Sequence, residues 1–187
     1  MKGYRFVTEN LESEHGNIQW VVGEWQECKG KLSLCKNGLH ASEKPIDSLA
    51  YIFGTRWFEC ETRGEILKDT DKFCASEMRL VREISKEVII QFATDCAKKV
   101  LPFFEKQYPD DKRPRKAIDK AQAYLKNSSA AARDASAATY AARAAYAASA
   151  ATYAASAAAR DATYDTMKQW QNKHLLNLIR KTVVKEV

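Results

Sequence analysis

Glycine and proline are scarce in this chain of 187 residues, which has seven of the first and four of the second. Every glycine lies at or before position 64, and residues 115–187 contain neither glycine nor proline. Because these two residues are the strongest breakers of regular structure, the C-terminal part is predicted to be almost entirely helical. The same scarcity argues against a loop-rich β-sandwich for the whole chain.

Long apolar runs without charge are also missing. Residues 1–15 lack the uninterrupted apolar segment of a signal peptide, and arginines and aspartates interrupt the Ala-rich segment 129–164. No stretch reaches the roughly 18 apolar residues of a membrane-spanning helix. Five cysteines are an odd number with scattered spacing, so a disulfide framework is not expected. We therefore predict a soluble cytoplasmic protein with reduced thiols.

Charge divides the chain into two parts. Residues 1–83 contain 12 lysines and arginines against 14 acidic residues, whereas residues 84–187 contain 18 against 10. The net charge of +6 therefore belongs entirely to the second part. Together with the distribution of glycine and proline, this predicts an α+β fold. A small β-rich α+β domain at 1–83 would be followed by an all-α, Ala-rich helical bundle at 84–187.

Aromatic and β-branched residues in the first part predict strands, among them residues 4–7, 18–22 and 56–61. The predicted order is three strands, a short helix and a further strand. Pro45 and the apolar spacing after it, up to Phe53, predict a short helix with Ser42 as its N-cap. The charged segment 66–86, where the two parts join, is predicted to be helical.

The second part is predicted to form four helices. They span about residues 84–107, 114–126, 129–164 and 165–185. The first carries an apolar stripe that includes Phe92 and Phe103. The third contains 20 alanines, the best helix formers, among its 36 positions. At about 100° per residue, three of its tyrosines share one stripe, namely Tyr146, Tyr153 and Tyr164. That stripe is predicted to pack within one bundle or between two copies in a homodimer.

A basic cluster at the start of helix 114–126 is the strongest candidate for binding a partner. Its members are Lys112, Arg113, Arg115, Lys116 and Lys120. Because arginine binds carboxylates in bidentate fashion, the cluster is predicted to meet an acidic protein surface. Two alternatives stay open: these residues bind nucleic-acid phosphates, or they pair with carboxylates of the same domain. No helix carries the mixture of Asn, Gln and Arg that reads bases, which weakens the nucleic-acid alternative.

No residue pattern identifies a reaction, so a non-enzymatic protein is favoured over an enzyme. The cysteines and histidines lack the close pairs of a zinc site, and neither a metal nor a cofactor is predicted. Cys35 and His40 are a conceivable nucleophile and base. Buried free cysteine is common, and nothing in the sequence brings these two side chains together.

The most specific enzymatic alternative rests on three residues. Arg5 lies on a first strand, Ser42 precedes a helix, and Glu61 (or Glu65) lies on a later strand. This order is loosely similar to that of ADP-ribosyltransferases, in which such residues contact NAD. The resemblance implies an NAD-binding enzyme in the N-terminal domain, with Arg5, Ser42 and Glu61 as candidate catalytic residues.

Two longer resemblances cover most of the chain. LCKNGLHAS at 34–42, KPIDSLAYIF at 44–53 and RWFECETRGEI at 56–66 are similar to an uncharacterised domain of phage and bacterial proteins with a GFHAC-like motif. Leu39 stands in place of the aromatic residue of that motif, and Ser42 in place of its cysteine. CAKKVLPFFEKQYPDDKRPRKAI at 96–118, followed by the Ala-rich segment, resembles the Ala-rich immunity protein family.

The second resemblance implies a binding protein of immunity or phage anti-defence type. Such a protein would inhibit a partner toxin or nuclease by direct binding, with no cofactor and no membrane involved. Neither resemblance brings an established catalytic residue. The basic cluster at 112–120 then becomes the expected docking site for the partner.

Overall fold

The computed structural model describes residues 1–15, 18–126 and 162–183. The chain divides into two units, Met1–Ser85 and Lys86–Val187. The first unit contains a β-sheet and the second contains long helices, so the predicted α+β fold class is confirmed. The predicted Ala-rich helix at 129–164 and its tyrosine stripe lie outside the described residues, apart from the first residues of the last helix.

The first unit is built on an antiparallel sheet of five strands. They are β1 (Lys2–Val7), β2 (Gln26–Glu27), β3 (Leu39–Ala41), β4 (Arg56–Lys68) and β5 (Phe73–Ile84). The order is β1-β4-β5-β2, and β3 also pairs with β5. Strands predicted at 4–7 and 56–61 lie within β1 and β4. The prediction at 18–22 is wrong, since that segment forms only an isolated bridge, between Gln19 and Glu12.

The charged segment 66–86 is mostly strand and not helix, which corrects the prediction. It contributes the end of β4 and all of β5, which form the long central hairpin. Its charges pair across the sheet: Arg79 lies opposite Glu61, and Arg82 lies opposite Glu59. The nitrogen–oxygen distances in these two pairs are 2.6 and 2.9 Å. A charged segment is therefore not evidence for a helix here, because opposite charges also pair across neighbouring strands on an exposed face.

β1 is hydrogen-bonded on both sides, to β4 and to the residue that follows β3. Tyr4 exchanges two backbone hydrogen bonds with Ser42, at 2.8 and 3.0 Å, just after β3. Ser42 is therefore bound to β1 and makes no side-chain cap on the following helix, α1 (Pro45–Ser48). This helix is one turn long and ends well before Phe53, so it is shorter than predicted. This pairing brings β1 and β3 together beneath the loop that precedes β3.

The core of the first unit lies on the inner side of the sheet. Its largest members are Trp20, Leu39, Phe58, Phe73, Met78 and Leu80. Each is no more than 1% exposed, which leaves little room for a charged side chain among them. Arg5 is nevertheless on this side of β1, opposite Phe58 in the register.

The second unit contains three described helices, α2 (Lys86–Gln107), α3 (Arg113–Lys126) and α4 (Ala162–Val183). The predicted helices at 84–107, 114–126 and 165–185 are confirmed to within a few residues. α2 packs against both α3 and α4. Ile90 of α2 and Tyr124 of α3 share a small buried cluster, and Leu175 and Ile179 are the buried residues of α4. No described helix is long and apolar enough to cross a membrane.

Candidate functional site

The turn between α2 and α3 is held by two arginine–carboxylate pairs. Arg115 donates from Nε and Nη2 to the two carboxylate oxygens of Glu105, at 2.7 and 2.5 Å. Arg113 donates from Nη2 to Oδ2 of Asp111 at 2.6 Å, and its backbone N–H donates to Oδ1 at 3.0 Å. Both arginines predicted to dock a partner therefore pair with carboxylates of their own unit. This agrees with the alternative that the basic cluster pairs within its own domain.

These pairs keep both carboxylates ionised. Hydrogen bonds from Arg113 lower the pKa of Asp111 to about 2, and a hydrogen bond from Arg115 lowers that of Glu105 below its ordinary value. Asp111 also lies at the N-terminus of α3, where a negative charge and an acceptor for a free N–H are both favourable. Asp111 therefore stabilises the first turn of α3, and Glu105 links that turn to the end of α2.

Two lysines of the basic cluster have no such partner. Lys112 donates to the carbonyl oxygen of Pro109 at 2.6 Å, but Lys116 and Lys120 form no ion pair with any described residue. Spacings of three and four residues place Arg113, Lys116 and Lys120 on one face of α3. All three are exposed, and the side chain of Arg113 is 90% exposed despite its ion pair.

Two aromatic side chains stand exposed at the same turn. Phe103, in the last two turns of α2, is 76% exposed, and Tyr108 in the turn is 50% exposed. Sequence periodicity predicted Phe103 on the buried stripe with Phe92, and this is wrong, because only Phe92 is buried. We call Phe103, Tyr108, Arg113, Lys116 and Lys120 the turn surface.

The candidate catalytic residues of the first unit are only partly brought together. Arg5 and Ser42 line one cavity of about 540 Å³. Glu61 does not line it, and its carboxylate accepts hydrogen bonds from Nε and Nη2 of Arg79 at 3.0 and 2.6 Å. These bonds lower the pKa of Glu61. The three residues therefore do not form a common site, and Glu65 does not line the cavity either.

Arg5 lies at the inner wall of this cavity without a carboxylate partner among the described residues. Its Nη2 donates to Oγ of Ser13 at 3.1 Å, its Nη1 contacts Sδ of Met78 at 3.6 Å, and its guanidinium lies 4.4 Å from the ring centre of Trp20. Its Nε is buried and has no hydrogen-bond partner in the described part of the chain. Burial lowers the pKa of Arg5 to about 10, so the group stays cationic at neutral pH.

The other sequence candidates near this cavity are Cys35 and His40. The structure brings them together, because the backbone N–H of Cys35 donates to Nε2 of His40 at 2.9 Å. That bond occupies the lone pair with which His40 would take a proton from the thiol. Burial is the main cause that lowers the pKa of His40, with the charges of Arg5 and Lys72 adding to it. In this arrangement Nε2 of His40 accepts from the backbone of Cys35 and not from its thiol.

Nothing in the described residues gathers metal ligands. No group of three or more His, Cys, Asp or Glu side chains is close enough to hold an ion there. The five cysteines are all free thiols. Burial raises the pKa of Cys60 and that of Cys96 to about 12, which makes both thiols unreactive at neutral pH.

Two family models match the chain, each over slightly less than half its length. One, described as "Domain of unknown function (DUF7666)", matches residues 1–91. The other, described as "Imm-5 like putative immunity protein", matches residues 79–164. No curated protein and no solved structure matches the chain.

The two matches bear on the earlier resemblances in different ways. The first coincides with the segment that resembled an uncharacterised domain, but it does not show the GFHAC-like motif. The second covers both α3 and the whole turn surface, and its description is consistent with an immunity function. Neither match supports a phage origin, an anti-defence role, inhibition of a nuclease or a homodimer.

Proposed function

We propose that this chain is an immunity-type protein that neutralises a protein toxin by stoichiometric binding through the turn surface. The observation that carries the proposal is the pair Lys116 and Lys120, which are exposed and form no ion pair with the described residues, in a segment where Phe103 is also exposed. The similarity of residues 79–164 to an immunity-protein family supports the same conclusion.

The chemistry of the turn surface defines the partner's surface. An exposed aromatic ring that enters a pocket is the usual anchor of a protein interface, because its burial removes much apolar area from water. Free lysines around such an anchor speed association with a surface of opposite charge. The partner is therefore a toxin with an acidic surface around an apolar depression.

The ion pairs Arg113–Asp111 and Arg115–Glu105 contribute to this surface by holding α3 in place. They fix the direction in which α3 leaves the turn, so that Lys116 and Lys120 project from a rigid helix. A preformed site loses less side-chain freedom on binding than a flexible one, which strengthens the complex. Arg113 remains exposed enough to add a second carboxylate contact from the partner.

An NAD-dependent enzyme and a nucleic-acid-binding protein are the weaker alternatives. The NAD-dependent enzyme would need Arg5, Ser42 and Glu61 in one site, but Glu61 does not line the cavity shared by the other two. For the second, two of the five basic residues already pair with carboxylates. Neither family match favours either alternative.

The test uses the full chain as bait, first against a lysate of the source organism and then against the isolated partner. Three forms are compared: wild type, the double variant Lys116→Glu/Lys120→Glu, and the control Lys2→Glu, which reverses an exposed charge in the other unit. We expect one protein to be retained by wild type and control and lost by the double variant. Expression of that protein alone should arrest growth, and co-expression of the wild-type chain should restore it.

Two results would count against the proposal. A retained protein that is harmless when expressed alone removes the immunity function. A toxin retained equally by wild type and by Lys116→Glu/Lys120→Glu moves the interface away from the turn surface. Binding of nucleic acid that weakens steeply with salt would instead favour the nucleic-acid alternative.

A further inference from the structure

The cavity of the first unit contains a buried cation that no described carboxylate neutralises. Arg5 has five N–H donors, of which Ser13 and Met78 accept two. Its buried Nε is left without a partner in the described part of the chain. Because an unpaired buried charge is costly, an anion that reached this guanidinium would stabilise it.

The lining of the cavity carries an excess of positive charge. Four basic side chains line it, namely Arg5, Lys29, Lys36 and Lys72, against the two acidic side chains of Glu14 and Glu27. The difference of two charges matches the dianion of a phosphate monoester at neutral pH. The arginine fork offers the bidentate geometry that phosphate oxygens accept.

Aromatic side chains form the outer part of the same cavity. Phe53 is 49% exposed, and its ring centre lies 6.2 Å from that of Tyr51 and 5.9 Å from that of His15. Lys72 sits 5.0 Å from the ring centre of Tyr51, whose hydroxyl donates to Asp71 at 2.8 Å. Exposed rings at the mouth of a charged cavity are suited to stacking on a flat ring of a ligand.

We propose that this cavity binds a phosphate monoester that carries a planar ring, with the phosphate at Arg5 and Lys72 and the ring against Tyr51 and Phe53. A volume of about 540 Å³ is within the range of small-molecule sites and accommodates a mononucleotide. No reaction is part of the proposal. It concerns the first unit only and stands apart from toxin binding at the turn surface.

The test measures thermal stability and calorimetric binding of the full chain with defined probes. These are inorganic phosphate, adenosine, and the four ribonucleoside monophosphates AMP, GMP, CMP and UMP. We expect at least one monophosphate to raise the melting temperature and to bind more tightly than inorganic phosphate. Adenosine, which lacks the phosphate, should bind much more weakly than AMP. Phosphate bound as tightly as every monophosphate would overturn the part of the proposal that concerns the ring.

Variants assign the effect to the cavity. Arg5→Met should weaken binding of the best monophosphate by at least about tenfold while leaving the unliganded chain as stable as wild type or more so. Lys72→Gln removes one positive charge from the lining and should weaken binding, with its melting temperature measured beside that of wild type. Phe53→Ala should remove the preference for a monophosphate over phosphate. The control Arg63→Met changes an arginine of the same unit that does not line the cavity.

Two outcomes overturn the proposal as a whole. The first is a wild-type chain whose melting temperature and calorimetric signal do not change with any probe at millimolar concentration. The second is a monophosphate that binds Lys72→Gln and Arg5→Met as tightly as wild type. Toxin neutralisation by the same samples is measured separately, because the proposed immunity function does not depend on either outcome.

Discussion

Glu105 at the end of α2 and Arg115 at the start of α3 form a bidentate ion pair across the turn, with nitrogen–oxygen distances of 2.7 and 2.5 Å. The pair makes Arg115 a residue that positions α3, although it is still about half exposed. The basic cluster therefore separates into two arginines that pair with carboxylates at the turn and two lysines, Lys116 and Lys120, that form no ion pair with the described residues.

The first prediction concerns this pair. Arg115→Met and Glu105→Gln should each lower the melting temperature slightly, because each breaks the same exposed pair. The double variant should lose less stability than the sum of the two single losses, which is a favourable coupling in a double-mutant cycle. Purely additive losses would mean that the two residues stabilise the turn independently.

The second prediction concerns the pH dependence of Asp111. Hydrogen bonds from Arg113 lower its pKa from 3.8 to about 2, so ionised Asp111 favours the folded state. Its stabilisation is complete above its ordinary value of 3.8 and is lost as the pH falls toward 2. Asp111→Asn should therefore melt below wild type at pH 7, and the difference should shrink between about pH 4 and pH 2.

Thermal melts of both forms in a series of buffers measure this difference. Asp110→Asn is the matched control, because Asp110 has no ion pair with the described residues. A difference between wild type and Asp111→Asn that stays constant down to pH 2 would contradict the assigned role of the carboxylate.

The third prediction concerns Ser13 beneath Arg5. Its hydroxyl oxygen accepts a buried hydrogen bond from Nε1 of Trp20 at 2.9 Å and a partly buried one from Nη2 of Arg5 at 3.1 Å. Ser13→Ala leaves both donors unpaired and should cost about 1–3 kcal/mol in the free energy of unfolding. Ser33→Ala, whose hydroxyl has no hydrogen bond among the described residues, should change it by less than about 0.5 kcal/mol.

Urea denaturation at pH 7 measures both free energies. Equal effects of Ser13→Ala and Ser33→Ala would show that water satisfies the donors of Trp20 and Arg5 in the variant. That result would also weaken the inference that Arg5 is poorly solvated.

The fourth prediction concerns the junction of α2 and α4. Oδ2 of Asp95 lies 2.8 Å from Nε2 of His174, whose ring stacks on Trp170 with centres 5.1 Å apart. A double-mutant cycle of Asp95→Ala and His174→Ala should give a coupling of about 0.5–1.5 kcal/mol. Lys173→Ala combined with Asp95→Ala should be additive within about 0.5 kcal/mol. Coupling of the control pair, or none in the test pair, would argue against the contact.

Local patterns predicted the helices of the second unit well. The absence of glycine and proline from residues 115–187 predicted long helices there, and both α3 and α4 are continuous. These signals depend on residues close in sequence, which is why one sequence was enough to find them.

Signals that depend on distant residues were not predictable in this way. The charges of segment 66–86 suggested a helix, but they pair across the β4–β5 hairpin. Phe103 was expected to be buried because its spacing matched Phe92, yet its side chain is exposed. Arg5 and Ser42 were named as candidates from a loose resemblance, and only the fold shows that they share a cavity while Glu61 does not.

The measurement that tests the account most directly is toxin neutralisation by charge-reversed chains. The partner toxin is titrated with wild type, with Lys116→Glu/Lys120→Glu and with the control Lys2→Glu, after thermal melts have shown that all three are folded. We expect wild type and control to neutralise the toxin at one equivalent, and the double variant to need at least about tenfold more. Neutralisation by the double variant at one equivalent would contradict the central claim.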